Sequence, residues 1–305
     1  MKNILIDTDI GDDIDDVFAL AYALKLMSEN KCNLVGVTTV FKNTHLRAKI
    51  AAHFLNTAGY PDIPVYAGRK QPLVNSVDVN QVPNQYLDDM EQAVYENIDG
   101  KEMDAVDFIY QTLKNSVTKI SLLSIGPLTN IAILIERHPD VVNLISEVYI
   151  MGGCFYNHMN EWNIECDPDA ADVVFRSGLT LMCVGLDVTT KCKLTKEYTD
   201  SIDLDSNQNG LLVRMMSEWF QQLDRDGQTT PLLHDPLALH AMIFDDVKFQ
   251  KEVVNVELNG KFTRGATYIE PYRLWGGTPP LSTRCHVAYD VDSHAFVDTF
   301  FSSVF

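Results

Sequence analysis

Apolar residues come in short unbroken runs along the chain, separated by longer stretches in which apolar positions recur every three or four residues. The runs Asn3-Ile4-Leu5-Ile6, CNLVGVTTV at 32 to 40 and DIPVYAG at 62 to 68 have the length of buried strands, and helical periodicity near 16 to 28 and 45 to 58 lies between them. The alternation resumes with KISLLSIG before a helix opening at Pro127, EVYIMGG before a helix at Asp167-Pro168, and LTLMCVGLDVT at 179 to 189. A further helix opens at His234-Asp235-Pro236, and the tail TRCHVAYDVDSHAFVDTFFSSV reads as a strand followed by a closing amphipathic helix. This pattern predicts an α/β fold: one domain over 1–305, Rossmann-like, with an open, mostly parallel β-sheet flanked by helices. Ligands of such sheets bind at the carboxyl ends of the strands. Stretches near 71–100 and 221–233 are irregular and are read as long loops over that edge, of the kind that serve as lids.

Charge narrows the ligand. Lys and Arg number 24 against 42 Asp and Glu, a net charge of -18, which argues against a nucleic acid polymer or an anionic membrane as partner. The N-terminal apolar run is too short for a signal peptide, and no stretch approaches about 18 apolar residues, so a soluble, cytoplasmic protein is expected. Six scattered cysteines form no CxxC pair and are expected to be reduced thiols.

The first strand ends in DTDIGDDIDD, six aspartates in the ten residues 7 to 16. Two carboxylates about 4 Å apart repel by roughly 4 kcal/mol at an effective dielectric near 20. A helix N-terminus accommodates one or two of them. The rest call for a hard divalent cation with oxygen ligands. An EF-hand loop does not fit, because a strand leads in, and Gly11 and Phe18 stand fifth and twelfth from Asp7. A strand followed by Asp-x-Asp also opens phosphatases of the haloacid-dehalogenase type, with Asp7 as nucleophile and Mg²⁺ as metal. There a Thr or Val and a hydrophobic residue normally occupy the place of Gly11-Asp12.

DTDIGDDIDDVFAL resembles the DTDPGxDDxxAL signature of the inosine-uridine-preferring nucleoside hydrolases. The likeness continues in order through TTVFKN at 38 to 43, DIPVYAG, GPLTNIA at 126 to 132, MGG at 151 to 153, EWNIECDPDAA at 161 to 171, GLDVT at 185 to 189 and HDPLA at 234 to 238. The resemblance implies hydrolysis of the N-glycosidic bond of ribonucleosides, with a calcium ion that binds the ribose diol and the attacking water. It implies metal ligands at Asp9, Asp16, the backbone carbonyl of Thr129, and Asp235. It implies catalytic roles for Asp9 as general base, Asn43 beside the water and His234 as proton donor to the departing base. Asp15, Glu161 and Asn163 match ribose-binding positions, and Asn157 or Asn160 the contact to the 5'-hydroxyl; Asn157 is chosen. Three residues separate Gly11 from Asp15-Asp16 where the family usually has one. The pair is placed there because Val17-Phe18-Ala19-Leu20 follows it, whereas a helix starting earlier gives a role to Asp12 or Asp13. Relatives are dimers or tetramers, so a homodimer or homotetramer acting on a small ribonucleoside is implied, with purine or pyrimidine preference open. Tyr86, Trp162, Trp219 and Phe220 are the aromatic candidates for stacking on the base, and His240 is read as structural.

Overall fold

The computed structural model describes residues 1–92, 98, 103–157, 159–202, 210–226, 230–272, 276–277 and 284–305. Parts of both long loops expected from the sequence therefore lie outside the described residues. Eight strands form one sheet in the order β3-β2-β1-β4-β5-β6-β10-β7. They are β1 (Lys2–Thr8), β2 (Cys32–Thr39), β3 (Val65–Ala67), β4 (Ile120–Ser124), β5 (Ile145–Met151), β6 (Leu181–Val184), β7 (Lys248–Lys251) and β10 (Cys285–Asp290). All pairings are parallel except that of the edge strand β7 with β10. A separate antiparallel pair, β8 (Val254–Val256) with β9 (Thr267–Ile269), lies outside this sheet.

The middle strands are buried on both faces, which explains their unbroken apolar runs: every residue of β4 is buried, as are the last five of β1. Helices cover both faces, so the core divides into two clusters. Ile4 and Ile6 of β1 belong to one, whereas Leu5 belongs to the other. On the first face Phe18 and Tyr22 of helix Asp15–Ser28 meet Phe300 of the C-terminal helix Ser293–Val304 edge-on at 5.6 Å.

Chain direction across the sheet reverses at β1, with β2 on one side and β4 on the other. The carboxyl ends of β1 and β4 therefore open the crevice where ligands of doubly wound sheets sit. The register brings Asp7 opposite Ser124, and Ile125 N donates to Asp7 O at 2.8 Å just beyond the pair. Helices Asp15–Ser28, Thr129–Arg137 and His234–Ile243 all begin at this edge, so their N-terminal dipoles converge on it.

Several elements differ from the expected pattern. Thr129 rather than Pro127 opens the helix after β4, because Pro127 lies in the connecting turn. Helix Gly210–Asp226 extends into the stretch read as a loop from 221. Helix Ala105–Asn115 adds to the elements read from the pattern, and its signal lies in the Asp104 cap and the apolar spacing of Val106, Ile109 and Leu113; the short strands β7, β8 and β9 add to them without one. Among the described residues no helix is long and apolar enough to cross a membrane, and all six cysteines are free thiols.

Candidate active site

A cavity of about 350 Å³ opens at the reversal point. Its walls include Asp9, Asp12, Asp13, Asp15 and Asp16 from the aspartate turn, Ile125 after β4, Asn160 to Asn163 after β5, and His234 with Asp235. This volume suits a small molecule.

The turn has its shape because of a buried cation from elsewhere in the chain. Arg47, 1% exposed, reaches from helix Thr44–Thr57 and donates through Nη1 to Asp9 O and to Ile10 O, through Nε to Phe41 O at 2.9 Å, and through Nη2 to Asp12 Oδ2 at 2.6 Å. Asp12 is thereby an ion-pair partner. Gly11 permits the turn with φ +126°, and a side chain there would meet Ile50 and Pro83 at 2.8 Å. Truncating Arg47 to Ala leaves three carbonyls and a carboxylate without their donor; a loss of about 3–5 kcal/mol is expected in denaturant unfolding.

Beyond the turn, helix Asp15–Ser28 starts where Val17-Phe18-Ala19-Leu20 required, with Asp15 and Asp16 in its first turn. Ligand oxygens of Asp13, Asp15 and Asp16 lie within 4.8 Å of one another. Asp16 Oδ1 accepts from the Thr8 hydroxyl, and Asp15 Oδ2 accepts from Asp235 N at 3.3 Å, tying the two helix starts together. Gly126 lets the β4 turn approach: a Cβ there would stand 2.9 Å from Asp9 Oδ1. Burial pushes the Asp9 carboxyl up to about 7, with Arg47 opposing the shift and Asp13 and Asp12 adding to it. Asp16 and Asp235 are pushed well above the usual carboxylate range, first by burial and then by their acidic neighbours. Such a set of hard oxygen donors fits a divalent cation, whose charge offsets both effects.

The opposite wall comes from the loop after β5. Glu161 caps helix Trp162–Cys166, accepting from Asn163 N at 2.8 Å, Ile164 N at 3.0 Å and Gly153 N at 2.9 Å. Burial raises its carboxyl and these donors oppose the rise. Asn163 donates through Nδ2 to Ile125 O and Met151 O, both at 3.1 Å, which leaves its Oδ1 to offer to a ligand. Trp162 is 60% exposed at the mouth, with Lys42 Nζ 5.9 Å from its ring centre. Trp219, Phe220 and Tyr86 instead pack against the core.

Asp9, Asp15, Asp16, Glu161, Asn163, His234 and Asp235 thus share one cavity, as the motifs imply. Three expected residues do not line it. Asn157 is turned away, donating to Asp187 Oδ1 at 2.9 Å, while Asn160 lines the wall and donates to Arg264 O at 3.0 Å. Asn43 accepts from Leu46 N at 3.4 Å as the cap of helix Thr44–Thr57, after Phe41 and Lys42 in the left-handed region at φ 69° and 57°. Thr129 is the first residue of its helix, so its carbonyl points along the axis into the helix. Its hydroxyl donates to Asp167 Oδ2 at 2.6 Å. Ile125 is the β4-turn residue that faces the cavity. His240 is buried between Tyr22 and Asp246, the structural role expected of it.

The reversal-point cavity offers a small ligand a wall of carboxylates, with the negative charge and hydrogen-bond acceptors they carry. Residues 4–298 match the family model described as inosine-uridine preferring nucleoside hydrolase, and the chain belongs to that family. It is 29% identical to the pyrimidine-specific ribonucleoside hydrolase RihA of Escherichia coli over 97% of this chain and 96% of that protein. Among solved structures it is similar to a purine-preferring ribonucleoside hydrolase from Gardnerella vaginalis, with TM-score 0.82, 27% identity, and 99% and 98% of the two chains covered. A plant nucleoside hydrolase shares the fold, with TM-score 0.83, 24% identity and the same coverage. The chain is therefore a ribonucleoside hydrolase, a glycosylase acting on the N-glycosidic bond, in a metal-dependent family. The phosphatase alternative falls. Asp7, its nucleophile, is fully buried, with Oδ1 accepting from the Thr38 hydroxyl at 2.6 Å and Asn130 Nδ2 at 2.7 Å.

Proposed function

We propose that the chain hydrolyses ribonucleosides with one calcium ion held by Asp9, Asp16, Asp235 and the carbonyl of Ile125, the last in place of Thr129. The observation that carries this reading is the convergence of buried carboxylates from two helix starts on the end of β1, with Arg47 engaged by Asp12 and backbone carbonyls. When bound, the cation supplies charge neutralisation, a water of lowered pKa and a grip on vicinal hydroxyls. Asp9 takes the proton of the attacking water, as a carboxylate held beside that water can. Asp15 and Glu161 accept from ribose hydroxyls, and their charge favours the positive charge that develops on the sugar as the bond to the base breaks. Asn163 Oδ1 adds a third acceptor, Asn160 takes the 5'-hydroxyl in place of Asn157, and Trp162 offers its face to the base. Water oxygen bonds to C1', the C1'–N pair leaves with the base, and His234 returns a proton to it.

Removing the His234 imidazole is expected to cost about 10²–10⁴-fold in kcat for nucleosides with poor leaving bases and far less for an activated nitrophenyl riboside. Equal losses on both substrates would count against its role as acid. Relatives carry opposite base preferences in their descriptions, pyrimidine-specific and purine-preferring, so the test of function is chromatographic. Inosine, uridine, cytidine, adenosine and guanosine are each incubated with the calcium-loaded protein and with chelator. Free base in the first case and none in the second is expected; no base from any of the five overturns the reading.

A further inference from the structure

The motif GLDVT at 185 to 189 ends at a residue with no assigned part in the chemistry. Thr189 is fully buried at the close of the short helix Leu186–Thr189, and its Oγ1 lies 2.7 Å from His234 Nδ1. Among the described residues the Thr189 hydroxyl has no other hydrogen-bond partner. Its neighbour Thr190 donates to Leu186 O at 2.7 Å, the usual bond of a helical threonine. The segment after Thr189 is zipped to the one before His234: Leu233 N donates to Cys192 O and Leu194 N to Pro231 O, both at 2.9 Å, with Lys193 bridged to Leu232. Register between these two segments therefore delivers the hydroxyl to one ring nitrogen.

We infer that Thr189 is the positioning residue of His234, anchoring Nδ1 so that Nε2 is the nitrogen presented to the departing base. A ring at the edge of a cavity can otherwise rotate about its two side-chain torsions and exchange its nitrogens, and a general acid must lie within hydrogen-bond reach of its target. A hydroxyl suits this place better than a carboxylate because its one oxygen works in both directions. It accepts from Nδ1–H while the ring is an imidazolium, and it donates to a bare Nδ1 when the proton sits on Nε2. When Nε2 gives its proton to the base nitrogen, Nδ1–H stays on Thr189, so the anchor holds on both sides of the transfer. A valine has the same shape but offers nothing to Nδ1.

This inference rests on His234 as the proton donor, and the experiment separates the two. On the nucleoside hydrolysed fastest of the five, Thr189→Val is expected to lower kcat by about tenfold or more, with KM within about twofold, and to affect a nitrophenyl riboside at least about ten times less. Thr189→Ser is expected to restore turnover of that nucleoside to within about threefold of the parent, and Thr189→Val added to His234→Ala to change the rate by less than about twofold. Should Thr189→Val not fold, Thr189→Ser against Thr189→Ala carries the same comparison. Equal slowing of both substrates, a serine as slow as the valine, or a further loss in the His234→Ala background overturns the inference. If His234→Ala alone hydrolyses every nucleoside at the parent rate, the donor reading fails instead. A crystal structure of Thr189→Val then decides on Thr189 by itself: a ring turned from its parent position supports the anchor, and an unmoved ring overturns it.

Discussion

Asp16→Asn and Asp235→Asn are each expected to abolish nucleoside turnover while making the metal-free chain more stable. The loss follows from the donor set. A cation contributes several kcal/mol of transition-state stabilisation, equivalent to about 10³-fold in rate, and an amide in place of a carboxylate removes a charge that holds it. The gain has the opposite origin. Without a cation, Asp16 and Asp235 are buried beside Asp9, Asp13 and Asp15, and each added negative charge destabilises the fold. An uncharged amide relieves this, so Tm in the presence of chelator should rise by a few degrees as activity disappears. Calcium, which should raise the parent Tm, should move those of the variants little. Normal rates in both variants would remove them as ligands.

Asp9→Ala removes the proposed base and one proposed cation ligand together, so a fall in kcat of at least about 10²–10⁴-fold is expected. Asp15, Glu161 and Asn163 remain to hold the sugar, so ribose should still bind, at reduced affinity, as a competitive ligand. This separation of binding from turnover would place the lost carboxylate in the reaction and not in the sugar contact. Crystallography or calorimetry with ribose checks the first half and steady-state rates the second. Loss of ribose binding together with an unfolded turn would instead make Asp9 a structural residue.

Much of this site was legible before any coordinates because its chemistry is local in sequence. Asp9, Asp15 and Asp16 lie within eight residues, and His234 adjoins Asp235 at a helix start. The strands β1, β2, β4, β5 and β6 were legible for a related reason: burial on both faces demands unbroken apolar runs. What escaped depends on contacts between distant segments. Arg47 sits in a helix with nothing to mark it, yet it meets Asp12 across 35 residues. Thr189 meets His234 across 45. Asn157 and Asn160 cannot be told apart by spacing, and the contact to Asp187, 30 residues on, turns the first aside. The motif GPLTN begins one residue after Ile125, the residue of this turn that lines the cavity, and spacing alone does not single that residue out. Strands β7, β8 and β9 each include exposed positions and so carry no unbroken apolar run.

Proton linkage gives the most direct check of the cation. Burial holds the Asp9 carboxyl at about 7 in the folded chain, against about 3.9 in an unfolded one. The metal-free fold thus binds more protons than the unfolded chain over that interval, and its stability falls as pH rises from about 4 to 7. A cation competes with those protons, so its affinity should rise over the same interval and its binding should release them. Isothermal titration of calcium into the chelator-treated protein at pH 7, in two buffers of different ionisation heat, measures this. One calcium per chain with net proton release is the predicted result; no uptake at millimolar calcium, or uptake without protons, would contradict a cation seated among these aspartates.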